Sequence, residues 1–232
     1  MVVFLNNLNA QDEGSGLFFG KLYIGAKAGY GIANFESTVK SEKNFAKMTY
    51  NNILYGIVAG YKLNGRISIQ VEGNYTQYGA NKIIPNYIYS PTNPLFVSYN
   101  PNTTVDHVDM DLFYADIPLT VRYELTDGDF APYIYGGVNW GINMNGNTTI
   151  VRKFIENDVT IYREFKDDIT GQIKYNDFSP VLGGGVKLNM GSFSFLGDIR
   201  YKYGLKNISN VINSLGFTNS SLYVSAGLVF NL

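Results

Sequence analysis

Residues 113–125, FYADIPLTVRYEL, decide the fold class of this 232-residue chain. Apolar side chains recur at every second position from Phe113 to Leu125, and polar side chains such as Asp116 and Arg122 fall between them. Successive side chains of a β-strand point to opposite faces, so this alternation predicts a strand with one apolar and one polar face. At 13 residues, the strand is much longer than the ~5–6 residues common in globular proteins.

Seven further segments of the sequence carry the same alternation, and no helical pattern competes with it. In chain order they are 21–33, 52–63, 66–78, 132–144, 177–188, 193–205 and 221–232. Together with residues 113–125 they predict an all-β chain of eight long strands.

The connections between the predicted strands alternate in length. Short turns are predicted at three places, Asn64-Gly65, Asp127-Gly128 and Met190-Gly191, and the Asn-Gly pair is a strong hairpin signal. The other connections are long and polar, at 35–50, 80–107, 146–175 and 207–220. Short turns at one end and long loops at the other predict an antiparallel up-and-down barrel.

The composition excludes several classes of function. Only 16% of the residues are charged and the net charge is −1, so the chain lacks the basic excess that nucleic-acid binding needs. It has no cysteine, which excludes disulfides, thiolate catalysis and cysteine zinc sites. The single histidine, His107, argues against a histidine-cluster metal site and a Ser-His-Asp enzyme. We expect no enzymatic activity, no catalytic residues, no cofactor and no nucleic-acid partner.

The alternation leaves two environments open for the apolar face: lipid, or the core of a soluble lipocalin-like barrel or sandwich. Three observations favour lipid. The strands reach the ~9–11 residues that cross a bilayer when tilted. The polar face is rich in glycine, as a narrow lumen that holds long side chains requires. Aromatic residues gather near both ends of the apolar face, as in the girdles of membrane barrels. We therefore predict a transmembrane barrel.

Five segments resemble a known family: FYADIPLTVRYEL, APYIYGGVNWGINM (131–144), FSPVLGGGVKLNM (178–190), FSFLGDIRYKYGLKNI (193–208) and SLYVSAGLVFNL (221–232). Over these five segments the chain is similar to the PorT-like outer-membrane β-barrel family of Bacteroides-type Gram-negative bacteria. The resemblance implies an OmpA/OmpX-type barrel in the cell outer membrane, with short periplasmic turns and long extracellular loops. The terminal Leu232 departs from the phenylalanine usual at the end of such barrels.

The chain divides into two parts. Residues 17–232 are the predicted outer-membrane barrel domain. Residues 1–16 are either the residual end of a signal peptide, cut after Ala10, or a disordered polar leader. The apolar stretch Val2–Leu5 is shorter than the ~7–15 residues of a complete signal.

The polar faces bring eight basic and five acidic side chains towards the predicted lumen. We expect a structural charge network there, in which Arg122 and Arg200 pair with carboxylates. Its members are Glu72, Asp116, Arg122, Glu124, Lys187, Asp198 and Arg200. Side chains fill an eight-stranded interior, so the network predicts a plugged lumen. The alternative is a small channel, which the basic excess would make anion-preferring.

Three local expectations concern less regular stretches. Pro118 falls in the middle of a strand, where its missing N–H predicts a β-bulge. The segment 151–168 is expected to form a hairpin beyond the membrane rather than an amphipathic helix. His107, with Asp109 and Asp111 on one face of its strand, is expected to be part of a solvated rim rather than a metal or acid–base site.

These inferences predict an outer-membrane barrel whose loops serve structural, adhesion or binding, or secretion-accessory roles. The expected partners are outer-membrane lipid and another envelope or secretion protein, which the extracellular loops would contact. The barrel itself is expected to be a monomer. A small anion-preferring channel and a soluble lipocalin-like ligand-binding barrel remain the alternatives.

Overall fold

In a computed structural model of the chain, the strands form one closed antiparallel sheet. The structure describes residues 22–37, 50–83, 103–157, 159–210 and 217–232. The predicted leader, 1–16, and the Pro-rich stretch 85–101 lie outside these ranges. The strands are β1 (Leu22–Ser37), β2 (Tyr50–Lys62), β3 (Ile67–Ile83), β4 (Thr103–Glu124), β5 (Phe130–Glu156), β6 (Val159–Asp168), β7 (Asn176–Met190), β8 (Phe193–Lys202) and β9 (Phe217–Asn231).

Eight of these strands form the ring of a barrel. They pair in the order β1-β2-β3-β4-β5-β7-β8-β9, and every pairing is antiparallel. The ring closes where β1 pairs with β9, from Tyr23 opposite Asn231 to Ser37 opposite Phe217. The predicted eight-stranded up-and-down barrel is confirmed.

The ninth strand, β6, lies outside the ring. β5 is 27 residues long because its second half continues past the ring and pairs with β6, from Asn147 opposite Asp168 to Glu156 opposite Val159. The predicted hairpin at 151–168 is therefore confirmed. A single 3-10 turn, Thr170–Gln172, follows it. In the described parts of the chain, no helix is long and apolar enough to cross a membrane.

Short turns occupy one end of the ring, hereafter the short-turn end. In the β2–β3 turn, the Asn64 side-chain oxygen accepts the backbone N–H groups of Arg66 and Ile67 at 2.9 and 2.8 Å. The Arg66 guanidinium binds the Asp127 carboxylate of the next turn, with 2.6 Å between Nη2 and Oδ2. These hydrogen bonds hold the pKa of Asp127 below its ordinary value. The β7–β8 turn places Gly191 at φ +76°, a conformation that favours glycine.

The outside of the ring is apolar and its inside is polar. Ile69, Leu119 and Leu182 are 40%, 51% and 66% exposed on the outside, whereas the inward-facing charged side chains are mostly buried. Aromatic rings pack together on the outer surface, as where Trp140 stacks on Phe178 with 6.2 Å between centroids. Such an apolar surface is unstable in water and matches the lipid-facing band of membrane barrels. The soluble alternative, with the apolar side chains inside, is wrong.

Pro118 causes no bulge, contrary to prediction. On one side it pairs with Asn139 of β5. On the other side, the β3–β4 register is the same before and after it, with Val71 opposite Leu119 and Asn74 opposite Asp116. The missing N–H therefore interrupts the ladder without shifting it, because long paired stretches on both sides hold the register. The irregularities of β4 lie instead at 105–107 and 113–114.

Candidate functional site in the barrel lumen

All seven predicted network residues point to the lumen side of the ring, as the alternation along the strands predicts. Six of them are buried, and Lys187 is half-buried. The charged side chains form three groups along the barrel axis: a mid-lumen network around Glu72, an upper cluster around Lys202 towards the loop end, and a lower cluster around Glu124 at the short-turn end. Six different strands, β1, β2, β3, β4, β7 and β8, supply the charges of these groups.

Glu72 is the centre of the mid-lumen network. Arg200 donates to both of its oxygens, with Nη1–Oε2 and Nη2–Oε1 distances of 2.8 and 2.5 Å. The Lys27 ammonium lies 3.3 Å from Oε2, and the side-chain amides of Gln70 and Asn74 donate at 2.5 and 2.9 Å. A carboxylate with this many donors is a stable acceptor even when buried. The predicted list included Glu72 and Arg200 but not Lys27.

A tyrosine hydroxyl joins Asp198 to the same network. Tyr135 donates to Asp198 at 2.9 Å and accepts from Arg200 Nε at 3.1 Å, while Lys27 lies 3.6 Å from Asp198. The Tyr135 ring lies over Gly183, where a Cβ would overlap the ring. The glycines of the polar face were expected to make room for charged side chains; here the glycine makes room for an aromatic ring that positions them.

The upper cluster contains two residues absent from the predicted network, Lys202 and Asp177. The Lys202 ammonium lies 3.2 Å from Asp177 and 3.8 Å from Asp116, and it also donates to the Tyr78 hydroxyl at 3.1 Å. Tyr78 donates in turn to Asp116, which also accepts from Asn139 at 2.7 Å. Both Lys202 and Asp177 lie at inward positions of the sequence alternation. That pattern was the sequence signal by which they could have been included.

The lower cluster pairs Glu124 with two lysines. Lys187 lies 2.5 Å and Lys62 3.3 Å from its oxygens. Arg122, two residues earlier on the same face, was expected to pair with a carboxylate, and that prediction is wrong. Its guanidinium stacks on the Tyr133 ring at 4.2 Å and donates to the Gln70 side-chain oxygen at 2.5 Å.

The charge balance of the lumen differs from the predicted one. Arg66 belongs to an exposed turn rather than the lumen, and Lys21 lies outside the described residues. Six cations, Lys27, Lys62, Arg122, Lys187, Arg200 and Lys202, therefore face five carboxylates, Glu72, Asp116, Glu124, Asp177 and Asp198. With near balance, the lumen charges give little preference for anions.

A cluster of buried apolar side chains, hereafter the apolar cap, lies above the upper cluster. It consists of buried side chains from the loop-end halves of the strands and from the segments that follow β6 and β8: Ala33, Phe35, Leu54, Tyr78, Ala80, Val108, Met110, Leu112, Tyr114, Ile150, Ile169, Ile173, Ile208, Phe217 and Tyr223. The two segments are tied together by a bridge between Ile173 and Ser209. The backbone N–H of Lys174 also donates to the Ile208 carbonyl at 2.7 Å.

His107 lies on β4 beyond the ring. Its Nδ1 is 2.7 Å from Asp106, and its Nε2 is 3.8 Å from Asp109. Asp106, which precedes His107 in the chain, was not in the predicted rim. The described ranges contain no group of three or more His, Cys, Asp or Glu side chains arranged to hold a metal ion.

Comparisons with known proteins agree with this architecture. The family model described as "Outer membrane protein beta-barrel domain" matches residues 9–210. Among solved structures, OprG from Pseudomonas aeruginosa is 10% identical, with 92% of this chain and 96% of that chain covered and a TM-score of 0.51. Neisserial surface protein A is 15% identical, with 91% and 97% covered and a TM-score of 0.46. No curated protein matches the sequence significantly.

One further similar structure is that of a protein named as a protease. The outer membrane protease OmpT from Escherichia coli is 10% identical, with 95% of this chain and 99% of that chain covered and a TM-score of 0.38. At these identities, likeness between structures concerns the fold alone. The expectation that this chain is not an enzyme stays a prediction.

Proposed function

The chain belongs to the family of outer membrane proteins with a β-barrel domain, and on that premise we propose that it is a monomeric barrel with a closed lumen and a binding or adhesive loop end. Its location in the outer membrane follows from the family. The proposal concerns what the barrel does there: it passes neither ions nor small solutes, and it presents its extracellular segments to a partner.

One observation carries the closed lumen, namely the contact between Arg200 and Glu72. Their strands, β8 and β3, are four strands apart in either direction around the ring, so the ion pair joins opposite walls. Lys27 and Tyr135 fill the space beside it. A continuous layer of side chains across an eight-stranded barrel leaves little room for hydrated ions.

The apolar cap supports the same proposal at a second level. A hydrated ion that passed the mid-lumen network would then meet Leu112, Ile150 and Ile208, which are buried in the cap. Moving an ion through an apolar constriction requires that it lose its hydration shell. Two barriers of different chemistry therefore lie in series along the barrel axis.

The loop end supports a role in recognition. The β5–β6 hairpin extends past the ring and exposes Tyr162 and Phe165, beside charged neighbours such as Arg163 and Glu164. Aromatic and charged side chains on a rigid scaffold are typical of binding surfaces. Another envelope or secretion protein is the partner that we propose, with outer-membrane lipid around the barrel.

The finer PorT-like assignment is part of this proposal. It is supported by the segments Ile117–Leu119, Tyr135–Gly137 and Arg200–Leu205, which resemble that group. Its consequence is the secretion-accessory role among the functions proposed for the loop end. Deleting the gene and measuring surface secretion tests it: unchanged secretion would contradict that role and leave adhesion or binding.

A liposome-swelling assay tests the closed lumen. Vesicles containing the folded wild-type barrel are placed in an isotonic sugar solution, and we expect the same swelling rate as for protein-free vesicles. A porin in parallel vesicles provides the positive control. Swelling faster than in protein-free vesicles would contradict the closed lumen and favour the small channel.

Photo-cross-linking tests recognition at the loop end. A photoreactive residue at position 162 on the hairpin is compared with one at position 65 on the short-turn end, in intact cells. We expect a discrete protein adduct from position 162 alone. Adducts from neither position, or from position 65 only, would contradict a partner at the loop end.

A further inference from the structure

Arg122 differs from the other cations of the lumen. Lys27, Lys62, Lys187, Arg200 and Lys202 each have a carboxylate within 4.0 Å. Arg122 has none within that distance in the described part of the chain, although its side chain is only 3% exposed. Among the described residues, its single hydrogen bond goes to the neutral side chain of Gln70, and its buried Nε has no hydrogen-bond partner.

A buried guanidinium without a counter-charge is costly. The Tyr133 and Tyr23 rings, at 4.2 and 5.9 Å from the guanidinium carbon, reduce this cost through cation–π contact. Neither the rings nor Gln70 carries a negative charge, so they leave Arg122 without a counter-charge in direct contact. An anion from outside the chain would cancel it.

A cavity of about 350 Å³ lies beside Arg122 at the short-turn end. This volume is within the range of small-molecule sites, roughly 300–1,000 Å³. Its lining includes three cations, Arg122, Lys62 and Lys187, but only two carboxylates, Glu124 and Asp129. The two lysines share Glu124, and each ammonium has three donors. The cavity therefore combines a net positive charge with spare hydrogen-bond donors.

The guanidinium of Arg122 is held in place for such a ligand. Gln70 accepts from Arg122 at 2.5 Å and from the Tyr23 hydroxyl at 3.0 Å, and its amide donates to Glu72 at 2.5 Å. This chain of contacts fixes the side chain from the mid-lumen side. A pre-positioned donor loses less conformational entropy when a ligand binds.

We propose that this cavity binds a small oxyanion, a phosphate or carboxylate group presented from the periplasmic side, with Arg122 as its principal counter-charge. Lys62 and Lys187 flank the anion. The site does not depend on a closed lumen, because it opens at the short-turn end, below the mid-lumen network.

Titration of the folded wild-type barrel in detergent micelles tests the site. Sodium phosphate and, separately, sodium acetate are added while the NMR signal of the Arg122 Nε–H group is followed, with sodium chloride at matched ionic strength as the blank. We expect a saturable shift with phosphate, acetate or both, and none with chloride. A phosphate response without an acetate response identifies a phosphate site, and the reverse identifies a carboxylate site.

Two variants make the test specific. Arg122→Gln should weaken the affinity about tenfold to a hundredfold, the equivalent of one lost charge-assisted hydrogen bond, as read from the ligand-dependent rise in melting temperature. Arg66→Gln removes an exposed arginine at the same end of the barrel and should leave the affinity unchanged. Absence of saturation with both anions in the wild type would overturn the proposal, as would equal affinity in Arg122→Gln. If Arg122→Gln does not fold, the wild-type titration still decides.

Discussion

Arg200 on β8 and Glu72 on β3 form a two-point ion pair that joins opposite walls of the barrel, at 2.8 and 2.5 Å. The two residues are 128 positions apart in the sequence. Both side chains are almost fully buried, so their charges are stable only together. The pair thus links the first and second halves of the chain across the lumen, and the proposed closure of the lumen rests on it.

Arg200→Ala should destabilise the folded barrel by about 3–5 kcal/mol, because it leaves Glu72 with a single remaining cation in a buried site. The free energy of unfolding in lipid vesicles, measured by urea titration, checks this. Arg66→Ala removes an arginine from an exposed ion pair and should have a much smaller effect. Equal effects of the two substitutions would contradict the structural role of the network.

Gly183→Ala should destabilise the barrel by about 1–3 kcal/mol, the usual cost of overpacking. A Cβ at this position overlaps the Tyr135 ring and lies 2.7 Å from the Ile199 carbonyl oxygen. The matched control is Gly197→Ala on the outer surface, where the nearest atom is 3.8 Å away. Urea titration of both variants should show a loss for Gly183→Ala only, and an unaffected Gly183→Ala would disprove the close packing of Tyr135.

Leu119→Arg should cost about 2–4 kcal/mol of folding free energy in vesicles, and Ile69→Arg, nearer the short-turn end of β3, should cost less. Both side chains face outward, and the penalty for arginine on the lipid face is largest at mid-membrane. Tyr162→Arg, on the hairpin beyond the membrane, is the matched control and should change little. Folding yield and unfolding free energy report the difference. If arginine were tolerated at Leu119 and Ile69, the outward orientation of the apolar face would be wrong.

The absence of cysteine allows a direct test of orientation in the membrane. Tyr162→Cys on the hairpin should react with a membrane-impermeant maleimide on intact cells. Gly65→Cys in the β2–β3 turn should react only after the outer membrane is permeabilised. Labelling of Gly65→Cys on intact cells, with Tyr162→Cys protected, would mean that the barrel is inverted.

The ring and its two faces could be predicted from the sequence because they depend on a local property, the alternation of side chains. Leu119 and Glu72 were assigned to the correct faces in this way. The length of β5 was underestimated, with 132–144 predicted and Phe130–Glu156 observed. The sequence of its second half suits a hairpin, but nothing local in it indicates that it continues the preceding strand. Pro118 was misjudged for a related reason: the strength of the pairing on both sides of it depends on distant residues.

The pairing of the lumen charges could not be predicted, because it depends on which residues of distant strands share one level of the barrel. Alternation shows that Arg122, Arg200 and Lys202 all point inward. It does not show that Arg200 meets Glu72, that Lys202 lies between Asp177 and Asp116, or that Arg122 faces tyrosine rings instead of a carboxylate. The role of Tyr135 as a bridge is hidden in the sequence for the same reason.

Electrical recording of the wild-type barrel in a planar bilayer tests the central claim, the closed lumen, most directly. The ion pair across the lumen and the apolar cap predict no steady conductance above that of the protein-free bilayer, at any voltage the membrane withstands. Insertion of the same protein preparation is verified separately, by protease protection of the strands in lipid vesicles. A stable open-channel current from the inserted wild type would contradict the account.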